Sequence, residues 1–346
     1  MSQSRSLPRR IVHPILSLLL GTLGFGCIDA VNLGLDAPSP RPVVVDGSIR
    51  SGPGPHVVTL TRAAAFEQSL EGADVRIREA RVLIRNLTTG EGARLSESVA
   101  GRYETDPGAL IGRPGERYRL DVRLNDGARY RSIPEVMPGA VPLDSLYTQY
   151  DPSRDVFTVR ADYSDPAGEP RRYRWDTEAL YQYILPGGAP SYCWIDDGVG
   201  SDLPLADDRL TDGQDVQGRR IRSIPNGRKT ILAYQVDVRQ LTLTPDAYAF
   251  WTVIETQVEN IGDPFTPPPT PVPTNIRAVD DTGAKPRGYF AAVGASSQHT
   301  VCVRTADDPR ALRFQVPESD LRCNGPTATS RPPDFWTCTT TVNPSP

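Results

Sequence analysis

The run YRLDVRL at residues 118–124 constrains the fold of this chain more than any other stretch. Tyr118, Leu120, Val122 and Leu124 alternate with Arg119, Asp121 and Arg123. Only an extended strand, whose successive side chains point to opposite faces, gathers the apolar set on one side and the charges on the other. Asn125-Asp126-Gly127 follows, and Asp-Gly favours a tight hairpin turn because glycine tolerates positive φ. The chain then returns as ARYRS. RVLIRN (residues 81–86) alternates in the same way. VVVDGSI (43–49) and HVVTLTR (56–62) read as strands joined by the Gly/Pro turn SGPGP. Short strands at close intervals with turn signals between them predict a β-sandwich over residues 41–138.

PEVMPGAVPLDSLY is punctuated by proline and marks the expected boundary to a second β-rich domain over residues 139–346. A chain of 346 residues exceeds what one small core usually holds, so two domains are the default. DVFTVRADY, YRWDTEALYQY, TILAYQVDVRQLTL and GYFAAV read as further strands. One segment has a helical period instead. In TPDAYAFWTVIETQVENIG, Thr244 is placed as N-cap, Pro245 takes the first helical position and Asp246 lies in the first turn. Ala247, Trp251, Ile254, Val258 and Ile261 fall at helical spacing, Tyr248 and Phe250 flank the stripe, and Gly262 ends it. This predicts one amphipathic helix near residues 245–260, packed against a sheet. The following prolines neither continue a helix nor donate to a central ladder, which predicts an extended crossing over residues 264–273. The chain has 34 prolines and 29 glycines, but they stand between apolar segments, as in a loop-rich β protein.

The first ten residues hold Arg5, Arg9 and Arg10 and no acid. The apolar run after them is shorter than the ~20 residues a transmembrane helix needs. A basic start, a short apolar centre and small residues before a cut make a secretory signal peptide, here residues 1–26. Cys27 comes directly after Gly24 and Gly26 and resembles the cysteine of a bacterial lipobox, which receives a diacylglycerol. Each buried methylene contributes ~0.8 kcal/mol, so several acyl chains hold a folded body on a membrane. Residues 27–40 then read as a tether. Removing three arginines and no acid from 38 basic and 42 acidic residues leaves a net charge of −7. Nucleic acid is a poor partner for such a surface, because phosphate binding needs a basic footprint.

Four cysteines remain after Cys27: Cys193, Cys302, Cys323 and Cys338. An even number in an exported chain suggests two disulfides, with three possible pairings between which spacing does not choose. Only His56 and His299 follow the signal segment, and both stand at strand-like positions. A Ser/His/Asp or Cys/His machine needs one of them, and GxSxG, HExxH and phosphate-loop motifs are missing. The reading is therefore of a protein that is not an enzyme and needs no cofactor. A carboxylate-only hydrolase needs just two acids, and sequence cannot select a pair from 42. The acids crowd most between Asp196 and Asp215, where Asp207, Asp208, Asp212 and Asp215 are the weak candidates for calcium. They lack EF-hand order, so the first expectation for them is a solvated loop with no metal. Trp175, Trp194, Trp251 and Trp336 are expected to pack in cores.

Taken in order, several segments resemble one family: Cys27, VVVDGSI, HVVTLTR, ARVLIRN with GRYET, PGERYRLDVRLNDGARYRS, VPLDSLY, RRYRWDTEA, YCWID, LTLTPDAYAFW, RGYFAA and RPPDFW. The set is similar to the Bacteroidota lipoproteins of domain of unknown function 4249. The long acidic loop and the PPPTPVP insertion depart from that pattern. The resemblance implies an outer-membrane, lipid-anchored protein facing the periplasm or the surface, often associated with TonB-dependent barrel transporters. It also implies a transthyretin/Ig-like form for the N-terminal β-sandwich. The expected function is that of a non-catalytic accessory or cargo-binding partner of such a transporter. A surface glycan or peptide hydrolase with paired carboxylates and a purely structural envelope module are the alternatives.

Overall fold

Strands dominate because the alternating runs find partners. The computed structural model describes residues 41–63, 75–185, 191–198, 203–260, 271–280, 285–311, 323 and 328–338. Cys27, the expected signal segment and tether, and most of the expected Pro-rich crossing lie outside these residues. The first strands are β1 (Val43–Arg50), β2 (Val57–Arg62), β3 (Arg81–Asn86), β4 (Gly92–Val99), β5 (Arg102–Glu104), β6 (Arg117–Arg123), β7 (Arg129–Ser132) and β8 (Glu135–Val136). There follow β9 (Ser145–Asp151), β10 (Val156–Ser164), β11 (Arg172–Leu185), β12 (Ser191–Asp196), β13 (Leu205–Asp207), β14 (Asp215–Pro225) and β15 (Ala233–Thr242). After helix α1 (Pro245–Glu259) come β16 (Ile276–Ala278), β17 (Arg287–Ala295), β18 (His299–Val303) and β19 (Ala328–Thr329). Among the described residues no helix is long and apolar enough to cross a membrane.

Among the described residues sixteen strands form one mixed sheet, and β14-β10-β9 form a second, three-stranded one. The long path runs β16-β7-β6-β3-β4-β5-β2-β1-β17-β15-β11-β12-β19. On β6, Tyr118, Leu120 and Val122 are buried, as the alternation requires. On its opposite face Asp121 accepts from Arg85 Nε at 3.1 Å, Arg119 Nη2 at 2.9 Å and Arg131 Nε at 2.8 Å. Full burial of a large apolar side chain contributes ~1.5–3 kcal/mol, against ~0.2–1 kcal/mol for an exposed ion pair. The apolar face therefore fixes the register, and the charges decorate it. The β6–β7 turn closes with Ala128 N donating to Asp126 Oδ1 at 3.0 Å, and Gly127 has φ +91°.

The first core gathers Val45 and Ile49 of β1, Val82 and Ile84 of β3, and Leu120 of β6. It also takes Ile276, Phe290 and Ala292 from far along the chain. They arrive because β17 runs parallel to β1 and β16 pairs with β7. Gly288 lies opposite Val45 in that parallel pair, with φ +86°. A Cβ there would fall 1.9 Å from Val45 O, so the close approach admits only glycine.

A second core lies between the three-stranded sheet and one face of β11 and β15, with Phe157, Val159, Trp175, Ile221, Val236 and Val238. Trp175 Nε1 donates to Gln240 Oε1 at 2.9 Å, and Gln240 Nε2 donates to Val141 O at 3.1 Å. These bonds satisfy polar groups that burial would otherwise leave costly. The opposite face of β15 and β17 carries α1. Thr244 caps the helix as expected, its Oγ1 accepting from Ala247 N at 3.2 Å. The buried side of the helix is shifted, however. Ala247 and Phe250 are its most buried residues, with Tyr248, Trp251 and Ile254 beside them. Phe250 belongs to this core and does not merely flank it, because its ring meets Tyr289 at 5.1 Å and stands edge-on to Trp251 at 5.2 Å. Ile261 and Gly262 lie outside the described residues.

Candidate functional site

The two faces of β11 and β15 do different work. On β15, Tyr234, Val236 and Val238 enter the second core, so Gln235 and Asp237 point to the other side. On β11, Trp175 and Ala179 enter the core, which turns Glu178 and Leu180 to that same outer side. Glu178 stands opposite Asp237 in register. The short β19 then adds to β12, with Trp194 opposite Thr329. The residues after β19 cross over the exposed face. Gln235 Nε2 donates to Phe335 O at 3.0 Å, and Thr337 N donates to Gln235 Oε1 at 2.8 Å.

Two disulfides hold this crossing in place. Cys193 pairs with Cys323 and Cys302 with Cys338, each with Cα atoms 5.7 Å apart. Of the three pairings open to the sequence, this one ties β12 and β18 to the C-terminal segment. Cys193 neighbours Trp194 in sequence, and the β18 partner of Gln235 is Cys302 itself. Cys193 therefore faces away from Trp194, on the other side of β12, whereas Cys302 shares the outer face with Gln235, so the two bonds tie the C-terminal segment down from both sides of the sheet.

The outer face holds a cleft of about 500 Å³. Leu180, Trp194, Pro333 and Phe335 give it an apolar lining, with Glu178, Asp196 and Asp237 at its polar side. Trp194 is nearly buried and meets Trp336 edge-on at 6.3 Å, whereas Phe335 is 56% exposed. A rigid aromatic wall and an exposed ring suit the capture of a flat or apolar group. The carboxylates differ in freedom. Asp237 Oδ1 accepts from Thr300 Oγ1 at 2.5 Å, and both its oxygens take Gln235 Nε2 at 3.2 Å. Asp196 Oδ1 accepts from Gly198 N at 2.6 Å. A second hollow lies on the same side of the sheet towards α1, with Glu178 common to both. There the Arg174 guanidinium sits 3.6 Å above the Trp251 ring and bonds Asp176 at 2.5 Å. The outer face is thus a continuous strip, walled by α1 at one end and by the disulfide-held segment at the other.

The sequence candidates fall in several places. Cys27 lies outside the described residues. His56 is buried, with Nε2 bonded to Leu110 O at 2.9 Å and Nδ1 accepting from Arg50 N at 3.4 Å. Burial pushes its pKa down, and the Leu110 bond opposes this only in part. Asp207 pairs with Arg209 at 2.7 Å, which holds its carboxyl below the usual range. Asp215 is exposed at the start of β14. Asp208 and Asp212 come together, and Asp165 joins them from the loop after β10. The acidic stretch is therefore not a uniformly solvated loop, since Asp208 is 1% exposed. Trp175 and Trp194 are buried, in keeping with core packing. Asp165, Glu178 and Phe335 were not singled out by sequence. Each is an isolated residue in its own stretch, and only sheet pairing brings it to a site.

A family model described as a domain of unknown function (DUF4249) matches residues 29–299. No curated protein matches the chain. The matched span runs from before β1 to the start of β18 and so covers α1, the parallel β1–β17 pair and most of the outer face. The chain belongs to the DUF4249 family.

Proposed function

We propose that this chain is a non-catalytic lipoprotein of the outer membrane, anchored through Cys27, that serves a TonB-dependent barrel transporter as an accessory or cargo-binding partner. In this reading residues 41–138 make the transthyretin/Ig-like sandwich and carry the second β-rich half, whose outer face receives the ligand. The observation that carries the reading is the cleft between Leu180, Trp194 and Phe335, an aromatic hollow on a sheet face under a C-terminal segment that two disulfides tie to the sheet. Such a surface grips a partner by shape and apolar contact, as binding hot spots do. The net charge of −7 after residue 26 fits an envelope protein that avoids nucleic acid.

One observation favours a second reading. Glu178, Asp196 and Asp237 converge on the same cleft, and two carboxylates beside an aromatic wall are the minimum for glycoside hydrolysis. Against this, Asp237 is held by Thr300 and Gln235, which leaves little of it for a substrate. Purification of the full-length protein in mild detergent distinguishes the two. The accessory reading predicts co-purification of a barrel protein and loss of membrane fractionation in Cys27→Ser. Glycan or peptide hydrolysis that disappears in Glu178→Gln would establish the enzyme instead.

A further inference from the structure

Three aspartates meet at the far end of the second core, away from the cleft. Asp165 follows β10, and Asp208 and Asp212 belong to the turn between β13 and β14. One oxygen from each carboxylate lies within 4.8 Å of the other two. Three oxygens at that limiting separation put a central ion about 2.8 Å from each, and any closer spacing brings it towards the ~2.3–2.6 Å of calcium–oxygen bonds. Magnesium, which demands ~2.0–2.1 Å, would need the oxygens closer still.

Proximity of acids alone proves nothing, but the state of Asp208 adds a separate argument. Its side chain is 1% exposed, and that of Asp165 is 5% exposed. Asp208 Oδ2 accepts from Arg171 N at 2.5 Å, whereas Oδ1 is shut off from solvent and has no partner among the described residues. The two oxygens share one carbon, so the bare oxygen sits in or immediately beside the triangle. A buried carboxylate oxygen without a donor is costly.

The surrounding bonds orient the set. Asp165 Oδ1 accepts from the Tyr173 hydroxyl, and Oδ2 accepts from Gly213 N at 3.0 Å. Asp212 Oδ1 accepts from Gly168 N at 3.0 Å. Each of these oxygens keeps a further lone pair for an ion. Arg171, in the same loop, does not pair its side chain with them. The Arg171 guanidinium donates to the carbonyls of Pro166 at 2.5 Å and Glu169 at 3.3 Å. None of the three aspartates has an ion pair among the described residues. Asp212 is exposed and leaves a way in from solvent.

We propose that Asp165, Asp208 and Asp212 form a calcium site that locks the loop after β10 onto the turn before β14. The donors are oxygen only, which excludes the soft metals, and the charge of three carboxylates calls for a divalent ion. The site is independent of the transporter reading and stands or falls without it.

Calorimetric titration of the purified mature protein with calcium chloride tests it, after chelation and against magnesium chloride. One site per chain is expected, with Kd on the order of 10⁻⁴–10⁻³ M as in extracellular calcium modules. Terbium, a calcium substitute, should gain luminescence under tyrosine excitation, because the Tyr173 hydroxyl bonds Asp165 directly. Both signals should vanish in Asp212→Asn, whose exposed side chain leaves folding intact, and persist in Asp207→Asn, which removes the same charge next door. Absence of calcium binding in the wild type, or binding unchanged in Asp212→Asn, overturns the proposal.

Discussion

His56 shows how one side chain can be chemically equipped and structurally occupied at once. Its backbone N–H donates to Thr105 Oγ1 at 2.9 Å, and both ring nitrogens have backbone partners at Arg50 and Leu110. Nδ1 accepts, so Nε2 carries the proton and the ring is neutral. Burial lowers its pKa from the ordinary 6.5. The sign of the linkage follows: below 6.5 the unfolded chain takes up a proton that the folded ring refuses. The stabilising contribution is full above 6.5 and is lost as pH falls through the window between 6.5 and the lower folded pKa. Urea midpoints measured across that window should drop on acidification. His56→Gln should flatten this part of the dependence, and an unchanged slope would show that the ring is not responsible. Read from sequence, His56 falls inside a strand, whereas it stands one residue before β2. Its partners were not legible, because Thr105 and Leu110 lie about 50 residues away, and only folding brings them near.

At the scale of elements, the C-terminal crossing depends on its disulfides more than on its own strand. β19 has two residues, too few to hold by ladder bonds alone. Closing loops of this size constrains the unfolded chain by about 3–5 kcal/mol per bond. The double variant Cys302→Ala/Cys338→Ala should therefore lower stability by about that amount. It should also expose Gln235 and Trp194, which a rise in acrylamide quenching of tryptophan fluorescence would report. Quenching unchanged from the wild type would mean that the crossing stands without the bond. Elements with strong local signals were readable in advance. The β6–β7 hairpin carries alternation and an Asp-Gly turn, and α1 carries a cap, a proline and a helical stripe. β19 carried no such signal. The choice of disulfide pairing was hidden too, because it follows from sheet order and not from spacing. Phe250 is buried rather than flanking for a related reason: the helix period marks a stripe, but the facing Tyr289 decides which side of the stripe is deepest.

At the scale of the whole molecule, one sheet path unites distant parts of the chain. β17 lies parallel to β1, β16 pairs with β7, and the first core is completed by Ile276, Phe290 and Ala292. Parallel pairing leaves no turn signature, so alternation in VVVDGSI and GYFAAV revealed two strands but not their union. That union lays β1, β17, β15 and β11 side by side and gives their outer face its length. The cleft inherits its position from it, since Glu178, Asp237 and Phe335 share no local motif. The strip between α1 and the C-terminal crossing is where the account places the partner. The most direct test puts a photoreactive benzoylphenylalanine in place of Phe335 in the full-length protein and irradiates intact cells. The account predicts a covalent adduct with a TonB-dependent barrel, and no such adduct from the same group placed at Val99, which is exposed on β4 outside the cleft. Irradiation that yields no barrel adduct at Phe335, or equal adducts at both positions, would contradict it.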